Sequence, residues 1–207
     1  MTSMASSAVP TRSRKRPEER RAEILEAAAS IALDDGLERI TLRAVADRLG
    51  VRPGLITHYF PAAENLVTEA FERAAVQERE RFFPTSGTPI ERLAHFLGYI
   101  ESGASLALAR LWLNARHLSR FSPALDVTLR EQDALDHARL TALIEDGIES
   151  GDFADVDAVA ASIRIFIAVD GAGSYVNTTA EVVHPAHRHF ARDVAEWTLG
   201  LDAGALA

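Results

Sequence analysis

The side chains best placed to do chemistry lie between Thr41 and Phe60, in the run TLRAVADRLGVRPGLITHYF. The chemistry they suit is hydrogen bonding to base edges rather than bond-making. Taken as a short helix opening at Pro53, the second half of the run presents Pro53, Gly54, Leu55, Thr57 and His58 outward, while Ile56 and Phe60, four apart, face inward. Gly54 lets a backbone approach closely. Leu55 suits a thymine methyl, and Thr57 and His58 offer a hydroxyl and an imidazole to bases. Arg43 projects from the start of the preceding helix with a guanidinium fork that fits guanine, and Arg52 directly precedes Pro53. Ordinary exposed polarity is the alternative for Thr57 and His58, and packing against the next helix is the alternative for Tyr59.

The local elements follow from residue types. Thr41 is an N-cap, its hydroxyl able to accept a free backbone N–H. Leu42, Val45, Ala46 and Leu49 recur at helical spacing. Gly50 stands where a helix ends on a left-handed residue. Val51 plugs the angle, and Pro53 suits the first turn of a second helix. Helix, Gly-containing turn and helix with a polar outer face is the helix-turn-helix arrangement, whose second helix fits the major groove of DNA. Upstream, Pro17-Glu18-Glu19 opens a helix whose inner face is Ile24, Leu25, Ala28, Ile31 and Ala32, closed by Asp34-Asp35-Gly36. It braces the pair.

Thr41-Leu42-Arg43 with Ala46, Gly50-Val51, Gly54, Tyr59-Phe60, Glu64 and Leu66 resembles the DNA-binding domain of the TetR/AcrR family of bacterial repressors, over about the first third of the chain. The resemblance implies that Thr41 and Tyr59 touch phosphate and that Arg43 reaches a base edge or a phosphate. It also implies that the helix after Phe60 joins the DNA domain to the body, its tilt setting the spacing of two reading heads. The chain departs from the family at Ala63, where a phosphate-reaching Lys is common, and at Thr57, where many relatives have Tyr. Leu111-Trp112-Leu113, Ala115-Arg116-His117 and Ile148 to Phe153 resemble the ligand domain of the choline-responsive repressor subgroup.

The net charge of −8 over 207 residues argues by itself against a nucleic-acid partner, but its distribution argues otherwise. Residues 1–60 hold ten Lys+Arg and eight Asp+Glu, and the other 147 hold twelve and twenty-two, so the first part is +2 and the rest −10. Arg12, Arg14, Lys15 and Arg16 form a basic tract within a Ser/Thr/Pro-rich arm, residues 1–17, expected to be disordered and suited either to phosphates or to mere solvation. The absence of Cys excludes a disulfide framework and a cysteine nucleophile, and agrees with a cytoplasmic setting. No unbroken run of eighteen apolar residues predicts a membrane span.

The rest reads as all-α. We expect a helix-turn-helix domain over 18–63, a connecting helix over 64–84, and a helical ligand-binding and dimerisation domain over 85–207, about nine helices in all. Pro84-Thr85-Ser86-Gly87-Thr88-Pro89 marks the break. Phe96, Tyr99, Trp112, Asn114, Arg116, His117, Phe166 and Asp170, with Asn177, are aromatic or polar residues on otherwise apolar helices, and are candidates for a pocket holding a small-molecule effector. Trp112, Tyr99 and Phe96 suit a cage for a choline-like cation. The alternative is that the aromatic residues are core and the polar ones face solvent. Val159, Ile163 and Phe166, with Phe190, Val194 and Trp197, form apolar seams for a homodimer. Such a dimer sets two reading helices on half-sites of a palindromic operator roughly 34–36 Å apart.

Neither a cofactor nor a metal is expected. His184, His187 and His189 are not spaced to share an ion on one helix and read as surface histidines. The chain has no phosphate loop, Gly-x-Ser-x-Gly elbow or His-Glu-x-x-His pattern, so an enzyme is not expected. The sequence reads as a ligand-responsive DNA-binding regulator, a repressor. A constitutive dimeric DNA-binding protein and a helical small-molecule-binding protein are the alternatives.

Overall fold

The structure, a computed structural model, describes residues 15–177 and 184–207. Arg12 and Arg14 lie outside the described residues, and with them most of the basic arm. Among the described residues the architecture is helical throughout: α1 (Pro17–Asp34), α2 (Leu42–Leu49), α3 (Pro53–Tyr59), α4 (Ala63–Phe82), α5 (Pro89–Glu101), α6 (Leu106–Leu118), α7 (Pro123–Ser150), α8 (Ala158–Gly173), α9 (Pro185–Arg188) and α10 (Phe190–Leu199).

Local signals set most boundaries. Proline occupies the first turn of α1, α3, α5, α7 and α9, where its missing N–H leaves nothing unpaired. Thr88 and Glu91 close a reciprocal capping box on α5. Ser122 caps α7, accepting from Leu125 N at 3.3 Å. α7 ends on Gly151 in the left-handed conformation, φ 81°. The stretch from Pro185 to Gly200, whose pattern suits one continuous helix, forms two. It breaks at His189, whose backbone leaves the helical range (φ −99°, ψ 11°) and whose ring is held by Glu101 of α5.

One continuous core joins the two ends of the molecule. α1 lies along α4, and α2 and α3 pack together beneath them. α4 continues into the body and lies on α7, while α8 sits between α7 and α10. The helical stretch Ala158–Asn177 is long and apolar enough, by length and composition alone, to cross a membrane. Arg164 and Asp170 lie within it, and it packs between α7 and α10 while Val159, Ile163 and Ile167 stay exposed.

Within α7 the fold depends on a missing side chain. Phe153 folds back after the helix, its N–H donating to Gly147 O at 3.0 Å, and its ring fills the space where a Cβ on Gly147 would stand. Helix propensity alone predicts that Gly147→Ala gains about 1 kcal/mol. The overlap with the Phe153 ring reverses the sign: we expect a loss of about 1–3 kcal/mol, read as a lowered urea midpoint at unchanged m-value.

Candidate nucleic-acid interface and interior cavity

The short helices present what the sequence leads one to expect. Thr41 Oγ1 accepts from Ala44 N at 3.0 Å, starting α2. Gly50 ends it at φ 63°. Val45, Ala46, Ile56 and Phe60 are buried, with Leu42, Leu49 and Val51 packed partly against them. Arg52, Pro53, Gly54, Thr57 and His58 are exposed, while Leu55 and Tyr59 are half-buried. A Cβ on Gly54 would meet nothing within 4 Å, so the fold itself has no need of glycine there. Thr57 donates back to Pro53 O at 3.3 Å, and His58 stands edge-on to Tyr59. Arg43 is exposed with only a loose 3.8 Å pairing to Asp47, leaving its fork available. Lys15 and Arg16, the described remnant of the basic tract, pair with Glu23 and Glu19. Ala63 sits exposed at the first position of α4.

This unit is tied to the body by polar links as well as by α4. Arg21 bridges α1 to Glu69 of α4, and its guanidinium lies 4.8 Å from the Phe60 ring. Asn114 of α6 donates to Glu38 at 2.8 Å, and Ser122 at the head of α7 donates to Glu64 at 2.6 Å.

In the body α4–α9 line a half-open cavity of about 520 Å³, a volume that suits a small organic molecule. Five of the sequence candidates meet in its wall: Phe96, Trp112, Arg116, Phe166 and Asp170. Three do not. The Tyr99 hydroxyl donates to Glu78 at 2.6 Å, and burial with that neighbouring carboxylate pushes its pKa up to about 12. Asn114 is spent on Glu38, and exposed His117 lies edge-on to Phe121. Asn177 is also outside the wall.

The wall contains acids and an aromatic ring that the sequence reading passed over: Glu101, Asp133, Asp136, and Phe82 from the last turn of α4. A signal for Asp136 exists. Gln132, Asp136, Leu140, Leu143 and Gly147 are all buried along one face of α7, so a carboxylate stands in an apolar stripe. It is there for Arg79 of α4. The two side chains are 6% and 7% exposed, and Arg79 Nε donates to Asp136 Oδ1. Arg79 Nη2 also donates to Gln132 O at 3.1 Å and Oε1 at 2.9 Å. Burial pushes the Asp136 carboxyl up to about 6, against the opposing pull of the Arg79 hydrogen bond and charge. The helix leaving the helix-turn-helix unit is therefore pinned, inside the body, to a residue of the cavity wall.

The histidines expected at the surface have particular places. His184 is exposed and caps α9, accepting from Ala186 N. His187 stands edge-on to Tyr175 at 5.0 Å, and His189 contacts Glu101 at 3.1 Å. Among the described residues no three His, Asp or Glu are grouped to hold a metal ion.

Comparison with known proteins agrees with this geometry. Residues 24–70 match the family model described as bacterial regulatory proteins, tetR family. The HTH-type transcriptional repressor KstR of Mycolicibacterium smegmatis is 37% identical over 87 residues, 40% of this chain and 42% of that one. The chain spans less than half the length of the curated relatives it matches. Among solved structures, a protein of Saccharomonospora viridis in complex with choline superposes with a TM-score of 0.72 at 22% identity, covering 86% of this chain and 96% of that one. The TetR-family transcriptional regulator of Cytophaga hutchinsonii gives 0.72 at 19%, covering 92% and 99%. The whole fold is shared, and the named curated relatives are regulators rather than enzymes.

The buried acid makes a signed prediction. Its folded-state pKa of about 6 lies above the ordinary 3.8, so its contribution to stability is full below about pH 4 and is lost as pH rises through 6. In Asp136→Asn this part of the stability–pH slope between pH 4 and 6, about 2–3 kcal/mol at most, disappears in chemical denaturation at stepped pH.

Proposed function

We propose that this chain is a homodimeric, sequence-specific DNA-binding transcriptional regulator of the tetR family, a repressor released from its operator by a small-molecule effector. One observation carries the reading. The segment with the tetR-family match exposes a recognition helix whose outer residues have almost no structural work, and the helix that follows runs directly to a lined cavity. Residues 18–63 serve as the reader, 64–84 as the connector, and 85–207 as the effector-binding and dimerisation body. The protein acts in the cytoplasm, where the chromosome is.

Thr41 and Tyr59 position the reader on phosphates. Arg43, Arg52, Gly54, Leu55, Thr57 and His58 approach the base edges, and Pro53 opens the helix that carries them. The effector seats against Phe96, Trp112, Phe166 and Asp170, in the wall that also holds Arg116, and its contacts with Phe82 and Asp136 load the two points at which α4 meets the cavity. A shift of α4 moves both readers off the half-site spacing. Effector and operator affinities are then coupled reciprocally.

The finer resemblance to the choline-responsive subgroup supports an organic cation as effector. The aromatic wall and its four carboxylates suit one, and a fold neighbour binds choline. Dimerisation uses Val159, Ile163 and Ile167 on α8 and Phe190 and Trp197 on α10. All five are exposed in the single chain, Ile167 at 66% and Trp197 at 71%. Phe166 is not part of that face, because its ring packs on Phe96 and His137.

Two experiments test this. Selection from a random duplex library should return a palindrome, and His58→Ala and Arg43→Ala should each relax it at defined base pairs, about 1–3 kcal/mol of lost discrimination. A chain that enriches nothing at low salt defeats the reading. Ile167→Glu should convert the dimer to monomer in sedimentation and reduce operator affinity, with little change in the fold by circular dichroism; a variant that stays dimeric moves the interface elsewhere.

A further inference from the structure

Arg116 of α6 stands in the cavity in an unusual setting. Its guanidinium carbon lies 5.4 Å from the Trp112 ring centroid. Its Nη2 donates to Asp170 Oδ2 at 2.7 Å and lies 3.5 Å from Asp133 Oδ1. An aromatic face and two carboxylates form a seat for an organic cation, and here the protein's own side chain fills it. Resting on the reading that the cavity takes a cationic effector, we propose that Arg116 is a tethered occupant of the effector's seat: the effector's positive group takes its place against Trp112 and between Asp133 and Asp170, and the arginine swings aside.

The local charge supports this. Two carboxylates share one guanidinium, leaving the cluster one negative charge in excess. Desolvation by the surrounding protein holds the Asp170 carboxyl above its usual range, although 45% of the side chain stays open to solvent. Arg116 opposes that rise, and the Asp133 charge adds to it. Most of the nearby charged groups are committed elsewhere. Asp136 is taken by Arg79. Glu101 is taken by Arg192 at 2.6 Å and His189 at 3.1 Å, yet its Oε1 is buried without a hydrogen-bond partner among the described residues. His137 is 3.9 Å from Asp133, and exposed Arg188 adds a positive charge to the wall. An anionic effector would bring a third negative group to one guanidinium. Arg116, Asp133 and Asp170 are all half-exposed, so a ligand can reach them. Arginine's flexible stem lets the head leave without moving α6.

The proposal inverts the usual expectation for a pocket residue, since deleting Arg116 should improve binding. The test is calorimetric titration of tetramethylammonium, benzyltrimethylammonium, protonated benzylamine and benzoate into the full chain and into Arg116→Gln, Arg116→Lys and Asp170→Asn, each checked for folding by its melting temperature. We expect Arg116→Gln to bind the cations about ten-fold tighter or more, because a competing charge a few ångströms away is gone. Arg116→Lys should stay near the wild type, Asp170→Asn should bind about ten-fold more weakly, and benzoate should not bind. The quaternary and primary ammonium arms distinguish a pure charge-and-ring seat from one that also needs N–H donors.

Folded Arg116→Gln that binds cations no better than wild type overturns the proposal. So does benzoate binding that is lost with Arg116, or a series in which no cation binds any folded variant. Operator binding measured by fluorescence anisotropy on the same preparations separates the two readings. Cation binding without DNA binding upholds the seat and sinks the regulator; DNA binding without cation binding does the reverse.

Discussion

Arg79 and Asp136 bring opposite charges to a place that water hardly reaches, and the body has to be built around keeping them together. Separating them would leave a bare buried charge at a cost of about 3–5 kcal/mol. Either partner therefore dictates where the other's helix lies. Gln132 supplies a carbonyl and an amide oxygen to the same guanidinium, so the register of α4 on α7 is fixed by directed bonds as well as by apolar packing. Apolar faces alone tolerate sliding; a guanidinium with three acceptors does not. That makes α4 a rigid strut with a defined set point at its far end. Its near end is set by Arg21–Glu69 and Ser122–Glu64.

A strut of this kind can transmit only if its set point has two settings. The carboxylate of Asp136 belongs at once to the pair and to the cavity wall, and Phe82 gives α4 a second contact with the same space. The proposed effector therefore meets the connector itself rather than a chain of intermediates.

How much of this was written in the chain differs by region. The reading unit was legible because its signals are local. A threonine hydroxyl, a left-handed glycine and a first-turn proline each act within four residues, and the boundaries of α2 and α3 follow from them. The cavity was half legible. Phe96, Trp112, Arg116, Phe166 and Asp170 stood out as polar or aromatic residues among apolar neighbours, but whether such a residue faces a void or a partner depends on elements far away in sequence. Tyr99 found Glu78, and Asn114 found Glu38, seventy-six residues back. Asp136 went unnoticed because α7 carries charge on most faces, so one more carboxylate looked like surface. The break at His189 was illegible for a similar reason: what holds it is Glu101, eighty-eight residues away.

The empty space around Gly54 has a consequence beyond recognition. Because no neighbour in the fold limits the side chain at that position, and Thr57, His58 and Arg43 bear little internal load, the residues of the proposed reading face can be changed without being felt by the core. The body, with its tightly constrained charges, has no such freedom, so tolerance to substitution should be highest on the face that is structurally idle.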